Sequence, residues 1–444
     1  WHNFKKFVVK CKCEGAIPAY KGFHPHTLGN TNYAYVKEVS GWVLDIQEKQ
    51  PYTNNRMEEY ASSGTYYFSS ARLMVDAFNK VKESDLNING EYYVSLAYKP
   101  LLAEGKPISV YPLQHFMQWG TPQDVAEYNG WSKAFRRMIG MPEKEADPVG
   151  SIVIPMAGLG QRFRREGYKT TKPLIPVAGM PMVQKAANDL PRAKQHSFVL
   201  RQDMVGYETI SKEIKRHFDC ITLKVISGIT EGQACTAQIG LEALKKVYSS
   251  NGVEQPITFG TCDNGVIFDQ DAFTALVKEK DVDVIVWGAR GHANAVRHPE
   301  MFGWIDAGDD GTIKAVSVKT PLADPENDPI VIGTFTFTSV KAFERSINRL
   351  LERDGRINGE FYLDSCVNDA LKLGLNCHLF EVDHFLSWGT PNDLKTFEYW
   401  QSCFHKWDGH PYKLENDNSI PNASVEDLKR RFEKIAPEGL ESKI

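Results

Sequence analysis

Paired cysteine spacing is the first thing this 444-residue chain lacks. Its eight cysteines, at 11, 13, 220, 235, 262, 366, 377 and 403, form no Cys-x-x-Cys pair, which excludes the common zinc modules and gives no disulfide framework. They are expected as reduced, mostly buried thiols. No apolar run approaches the ~18 residues that cross a bilayer, and no signal-peptide pattern opens the chain. A cytoplasmic protein without a membrane partner is expected, and Asn422-Ala-Ser424, though it fits the glycosylation pattern, carries no meaning there. One-signed charge is also missing. A net charge of −4 gives no general attraction to nucleic acid or anionic lipid, so any phosphate binding must be local. The chain opens at Trp1 without methionine and runs almost at once into a strand-like stretch, Phe7-Val-Val-Lys-Cys-Lys-Cys13, which suggests a fragment.

What is present is an ordinary globular composition, 42% hydrophobic and 11% aromatic, at a length that predicts two or three domains at about 150 residues each. The most specific local feature is Met156-Ala-Gly-Leu-Gly-Gln-Arg-Phe163, preceded by the apolar run Ser151-Ile-Val-Ile-Pro155 and followed by Thr171-Lys-Pro-Leu-Ile-Pro-Val177. A strand that ends in small residues and turns at Gly158 and Gly160 lets backbone N–H groups approach phosphate oxygens. Arg162 and Lys172 add fixed positive charge. The dinucleotide fingerprint is excluded because Phe163 stands where a third glycine is needed, and the P-loop because Gln-Arg-Phe stands where Gly-Lys-Ser/Thr is needed.

The chain also repeats itself at a long interval. His115-Phe-Met-Gln-Trp-Gly-Thr-Pro-Gln-Asp124 matches His384-Phe-Leu-Ser-Trp-Gly-Thr-Pro-Asn-Asp393. The offset in numbering is 384 − 115 = 269. Ile88-Asn-Gly-Glu-Tyr-Tyr93 and Ile357-Asn-Gly-Glu-Phe-Tyr362 share that offset, as do Gly64-Thr-Tyr-Tyr-Phe68 and Gly333-Thr-Phe-Thr-Phe337. Solenoid repeats run to about 20–50 residues, so this interval means tandem domains. The expected organisation is a partial domain over 1–140 holding only the back half of the repeat, a linker at 141–150, a complete domain over 151–405, and a tail over 406–444 with an amphipathic helix near 425–435.

Within the complete copy, apolar segments near 151–156, 197–201, 222–227, 256–262 and 283–288 alternate with helical patterns near 181–189, 206–217, 232–248 and 270–278. That alternation predicts an α/β fold with a doubly wound, mostly parallel, Rossmann-like mixed sheet, binding ligands at the carboxyl ends of its strands. Asp263, in Thr258-Phe-Gly-Thr-Cys-Asp-Asn-Gly265, falls at such an end. Magnesium takes a few carboxylates together with substrate phosphates and water. Ile229-Thr-Glu-Gly-Gln-Ala-Cys-Thr236 opens a helix with a small-residue loop, and a helix N-terminus offers unpaired N–H donors.

Gly-x-Gly-x-Arg-Phe followed by Lys-Pro-Leu resembles the sugar-phosphate nucleotidyltransferases, the pyrophosphorylases that make nucleotide-activated sugars. The resemblance implies nucleotidyl transfer from a nucleoside triphosphate to a sugar 1-phosphate or similar small phosphorylated acceptor, with release of pyrophosphate, as in making precursors for surface polysaccharide. It implies catalytic roles for Arg162, Lys172 and Asp263, with Mg²⁺ on Asp263. Nucleotide contacts fall on Ala157, Gly158, Leu159, Gly160, Gln161, Gly232 and Gln233, and acceptor contacts on Lys319, Gly333 and Glu360.

Two departures stand against that pattern. The family's acceptor Glu-Lys pair is intact as Glu48-Lys49 but becomes Val318-Lys319 in the complete copy. The second metal carboxylate is replaced in both copies, by Ser387-Trp-Gly-Thr390 and Gln118-Trp-Gly-Thr121, leaving Asp364 or Asp383 as substitutes. Trp388 and Trp119 have two readings, flanking the substrate or packing the sheet as large buried aromatics, and the second is the expected one. A glycosyltransferase, or a catalytically idle regulatory or scaffolding protein, are the competing readings.

Overall fold

In the computed structural model the described residues are 2–29, 32–140, 147–249 and 251–435; most of the expected linker, 141–146, and the end of the tail lie outside them. Two compact units divide the chain. One comprises residues 1–128, 398–407 and 427–444, the other residues 129–397 and 408–426.

The second, larger unit carries the glycine loop. Its sheet runs in the order Ile221–Ile226, Gln195–Arg201, Ser151–Pro155, Ile257–Phe259, Ile330–Phe337, Val284–Ala289, Cys377–Glu381, with Gly303–Ala307 and Ile313–Val318 attached beside it. The first four strands are mutually parallel. Ile330–Phe337 then runs antiparallel to both neighbours, so the sheet is mixed. Helices Met182–Asp189, Tyr207–His217, Gln233–Tyr248 and Gln270–Lys278 occupy the connections, close to the expected spans.

Strand residues alternate between two apolar layers, as the period-2 pleat requires. Ile152 and Ile154 join a cluster with Phe198, Leu200 and Trp287, whereas Val153 joins Phe259, Val286, Phe335 and the helix residues Ala237 and Leu241. Both faces are therefore buried, which explains why these strands read as continuous hydrophobic runs.

The first unit contains a six-stranded sheet ordered Tyr60–Ser62, Ala34–Val39, Trp42–Glu48, Ile108–Pro112, Gly15–Tyr20, Tyr67–Phe68, around a core that includes Ile17, Val36, Ile46 and Tyr98. Its elements recur in the second unit at the offset of the sequence repeat. Gly15–Tyr20 corresponds to Val284–Ala289, Ala71–Glu83 to Val340–Glu352, and Ile108–Pro112 to Cys377–Glu381. The pairing recurs as well: Gly15–Tyr20 is parallel to Ile108–Pro112, as Val284–Ala289 is to Cys377–Glu381.

One expectation is corrected. The strand-like stretch from Phe7 to Cys13 is mostly helix, His2–Cys11. Phe4 and Val8, one turn apart, are its buried residues, and Phe4 packs edge-on against Tyr111 at 5.1 Å. A helical stripe set by tertiary packing overrides the β preference of Phe-Val-Val. The expected tail helix is observed as Val425–Ile435.

No helix among the described residues is long and apolar enough to cross a membrane. All eight cysteines are free thiols; Cys13, Cys366, Cys377 and Cys403 are buried, three are partly covered and Cys220 is exposed.

Candidate functional site

Two adjacent parallel strands deliver the loops of the site. Ile257 pairs with Ser151 and Phe259 with Val153, so both strands end at the same edge of the sheet. The first continues into loop 156–160 and the second into loop 260–263, the edge where doubly wound sheets bind ligands. Asp263 thus sits four residues past the end of its strand, on the loop that turns into the short strand Asn264–Ile267.

Loop 156–160 leaves its strand irregularly and enters the helical turn Gln161–Arg165 through Gly160, whose φ is +61°. A side chain there would be strained and would also meet the Lys172 Cβ at 3.2 Å. The absent Cβ therefore lets the lysine stem pass directly beneath the loop. Among the described residues the N–H groups of Ala157, Gly158, Leu159 and Gly160 have no hydrogen-bond acceptor. Unmade backbone bonds need a partner, and successive free donors in a glycine turn suit an anion.

Lys172 reaches the second loop. Its Nζ donates to Asp263 Oδ2 at 2.5 Å and to the Gly389 carbonyl at 3.1 Å, with the Phe163 ring 5.7 Å away. Burial works against the Lys172 charge, but Asp263 outweighs it and holds the ammonium above its usual range. Burial likewise pushes the Asp263 carboxyl up, yet Lys172, with Arg162 behind it, draws it below the ordinary carboxylate range. Both groups stay charged. Beside them, burial raises the Cys262 thiol to about 12, which makes it an inert neighbour.

Arg162 is exposed and forms no ion pair among the described residues, while its charge acts on Lys172, Asp263 and Lys319. Lys319 is half-buried and donates to the Met301 carbonyl. Burial lowers its pKa, against the opposing pull of Asp364. Gly333 backs onto the second loop: a Cβ there would meet Thr261 Cγ2 at 2.7 Å. Glu360 is exposed and acts on Lys319 electrostatically. Gly232 and Gln233 stand at the start of helix Gln233–Tyr248, joined to the Glu360 segment by a backbone latch in which Ala234 N–H donates to Phe361 O at 3.0 Å and Phe361 N–H donates to Glu231 O at 2.9 Å.

Oxygen donors for a divalent ion are few. Asp263 is the carboxylate of the site, with Gly389 O beside it, and no group of three or more His, Cys, Asp or Glu among the described residues could hold a metal. Neither substitute acid is placed beside Asp263: Asp383 pairs with Arg137 at 3.0 Å, and the Asp364 carboxyl faces Lys319 and Gly303. Mg²⁺ fits only as an ion shared between Asp263, substrate phosphates and water, a coordination it commonly takes.

The tryptophans diverge. Trp388 is fully buried, as expected, but Trp119 is 54% exposed. A further residue, Arg201, carries no motif. It ends the strand next to Ser151–Pro155, and although buried it donates to the Ala157 carbonyl at 2.5 Å and to Asp203 at 2.7 Å. This clamp fixes Ala157 in the glycine loop. Its only signal in the sequence is an arginine at the carboxyl end of a buried strand.

No protein-family description matches the chain, and no curated protein matches it. Solved structures that resemble it include a nucleoside-diphosphate-sugar pyrophosphorylase from Vibrio cholerae RC9, 20% identical, TM-score 0.44, covering 55% of this chain and 98% of that one. The inositol-1-phosphate CTP transferase from T. maritima is 14% identical with a TM-score of 0.43 over 57% of this chain and 96% of its own. A putative glucose-1-phosphate thymidylyltransferase from Bacillus anthracis is 17% identical with a TM-score of 0.42, covering 56% and 93% respectively.

Proposed function

We propose that the second unit catalyses nucleotidyl transfer from a nucleoside triphosphate to a sugar 1-phosphate or similar small phosphorylated acceptor, releasing pyrophosphate. The observation that carries this reading is the stack of Gly160, Lys172 and Asp263: a loop with unpaired N–H donors, an ammonium beneath it, and a carboxylate holding that ammonium. Arg162 acts on both Lys172 and Lys319; Lys172 is balanced by Asp263, and Lys319 is faced by Asp364, Glu300 and Glu360.

In the reaction an acceptor phosphate oxygen attacks the α-phosphorus, a new P–O bond forms, the bond between the α-phosphorus and the bridging oxygen breaks, and pyrophosphate leaves with that electron pair. No covalent enzyme intermediate is needed, so positioning and electrostatics supply the catalysis. The exposed Arg162 guanidinium takes the β- and γ-phosphates. Lys172 places positive charge where the two substrates meet, and Lys319 faces the acceptor phosphate. Gly158, Leu159 and the other loop residues bind through backbone N–H, with Gly232 and Gln233 toward the nucleoside and Gly333 and Glu360 toward the acceptor. Mg²⁺ held by Asp263 would neutralise phosphate charge.

The matching elements at the repeat offset support reading the first unit as a partial copy of the same domain; a cytoplasmic role in making surface-polysaccharide precursors is proposed on the sequence resemblance alone. A second reading, an idle regulatory relative, is favoured by Val318 and Ser387 standing where acids are expected. Pyrophosphate release with Mg²⁺, measured for the four common triphosphates against a panel of sugar and amino-alcohol phosphates, separates the two. Turnover with one pair, lowered at least about 10²-fold by Lys172→Ala or Asp263→Asn, supports transfer; no release from any pair favours the idle relative.

A further inference from the structure

Helix Met182–Asp189 carries a charged pair inside the second unit. Lys185 is only 3% exposed, and its Nζ donates to Asp189 Oδ1 at 2.5 Å, one turn further along the helix. Neither group takes part in the Lys172–Asp263 contact, yet both face the loop that carries Asp263.

Gly265, two residues past Asp263, is where the helix meets that loop. A Cβ there would stand 2.1 Å from Asp189 Oδ2 and 2.7 Å from the Trp388 ring. The Lys185 ammonium lies 5.9 Å from the centre of the same ring. Trp388 in turn donates its backbone N–H to the Asp263 carbonyl at 2.9 Å, and the next carbonyl, Gly389 O, accepts from Lys172 at 3.1 Å. The short strands Asn264–Ile267 and His384–Ser387 pair antiparallel, with Gly265 opposite Leu386. Contacts therefore run from the Lys185–Asp189 pair, through Gly265 and Trp388, to both members of the Lys172–Asp263 ion pair, all within the second unit.

Stability does not account for the pair. Two charges taken out of water lose more than their contact returns unless further bonds compensate, and a buried ion pair exchanged for apolar side chains often leaves a protein as stable or more so. Of the three N–H donors of Lys185, one meets an acceptor among the described residues. What apolar side chains could not do is orient the ring. The Trp388 indole N–H is buried without an acceptor among the described residues, so packing and the ammonium over its π face hold the indole in place.

We infer that Lys185 and Asp189 are positioning residues for Asp263: the pair sets the Trp388 indole, and through it loop 260–263, where Asp263 meets Lys172. The inference rests on reading that contact as part of a nucleotidyl-transfer centre. The test uses the full chain with Lys185→Met and Asp189→Leu combined. This variant melts at or above the midpoint of the unaltered protein, while its kcat for pyrophosphate release falls about tenfold or more and KM for the acceptor stays within about twofold. Should that exchange not fold, Lys185→Gln with Asp189→Asn takes its place. A second measurement needs no catalysis: the exchange is combined with Asp263→Asn, and coupled groups give shifts in melting midpoint that do not add. Non-additive shifts with a lowered kcat support the assignment; additive shifts, or an unchanged kcat, overturn it. If the unaltered protein releases no pyrophosphate from any substrate pair, the transfer reading fails, and the midpoint shifts alone decide whether the pair acts on Asp263.

Discussion

At the scale of single residues the candidate site is one ion pair and the groups that hold it. Lys172 and Asp263 are spaced 91 residues apart and meet at 2.5 Å. Both types were legible as a cation and a carboxylate near a glycine loop; their direct contact was not, because it depends on two strands lying side by side. Arg201 was missed for the same reason. Replacing it by methionine leaves the buried Ala157 carbonyl without its charged donor and is expected to destabilise the protein by about 1.5–3 kcal/mol in chemical denaturation; a change below a few tenths would show the clamp is idle.

Asp364 supplies a pH prediction. Burial raises its carboxyl to about 6, against the pull of Lys319, the cation that faces it. The folded state therefore holds a proton that the unfolded chain, with a carboxyl near 3.9, has released. The contribution of Asp364 to stability is greatest below about pH 4, declines between about pH 4 and 6, and is a constant penalty above that. Asp364→Asn is expected to remove that slope and to raise stability at neutral pH, read from denaturation midpoints across the range. An unchanged slope would assign it to other groups.

At the scale of elements, most strands and helices of the second unit followed from their apolar runs within one or two residues: the helix expected at 270–278 is Gln270–Lys278, and the strand expected at 222–227 is Ile221–Ile226, whereas the strand expected at 256–262 is shorter, Ile257–Phe259. Runs buried on both faces advertise themselves. The N-terminal helix His2–Cys11 did not, because Phe-Val-Val favours a strand locally and only the packing of Phe4 and Val8 decides otherwise. The latch at helix Gln233–Tyr248 was also invisible, being made of backbone groups. Gly232, at φ +138°, would set a Cβ 2.4 Å from the Phe361 carbonyl oxygen and 2.5 Å from its nitrogen. Gly232→Ala is expected to cost about 1–3 kcal/mol and to weaken triphosphate binding, measured by denaturation and by nucleotide titration; a neutral result in both would free the latch from any role.

At the scale of the whole chain, the long-interval repetition was readable from three short matches and reappears in strand and helix boundaries. What differs between the repeats is the chemistry. The second unit sets Lys172 and Arg162 about Asp263, and the first lines a cavity with Glu48 and aromatic rings, with no lysine or arginine among the described lining residues. Glu48-Lys49 and the glycine loop 156–160 therefore belong to different units. No local pattern could say whether Trp119 and Trp388 share a fate, since only the assembled units set their burial.

Nucleotidyl transfer is measured most directly by following the label of an α-³²P nucleoside triphosphate incubated with Mg²⁺ and a sugar 1-phosphate. The label is expected in a nucleotide–sugar conjugate, with unlabelled pyrophosphate released in equal amount and both lost with Lys172→Ala. Label confined to nucleoside mono-, di- or triphosphate, with no conjugate formed for any triphosphate and acceptor, would contradict it.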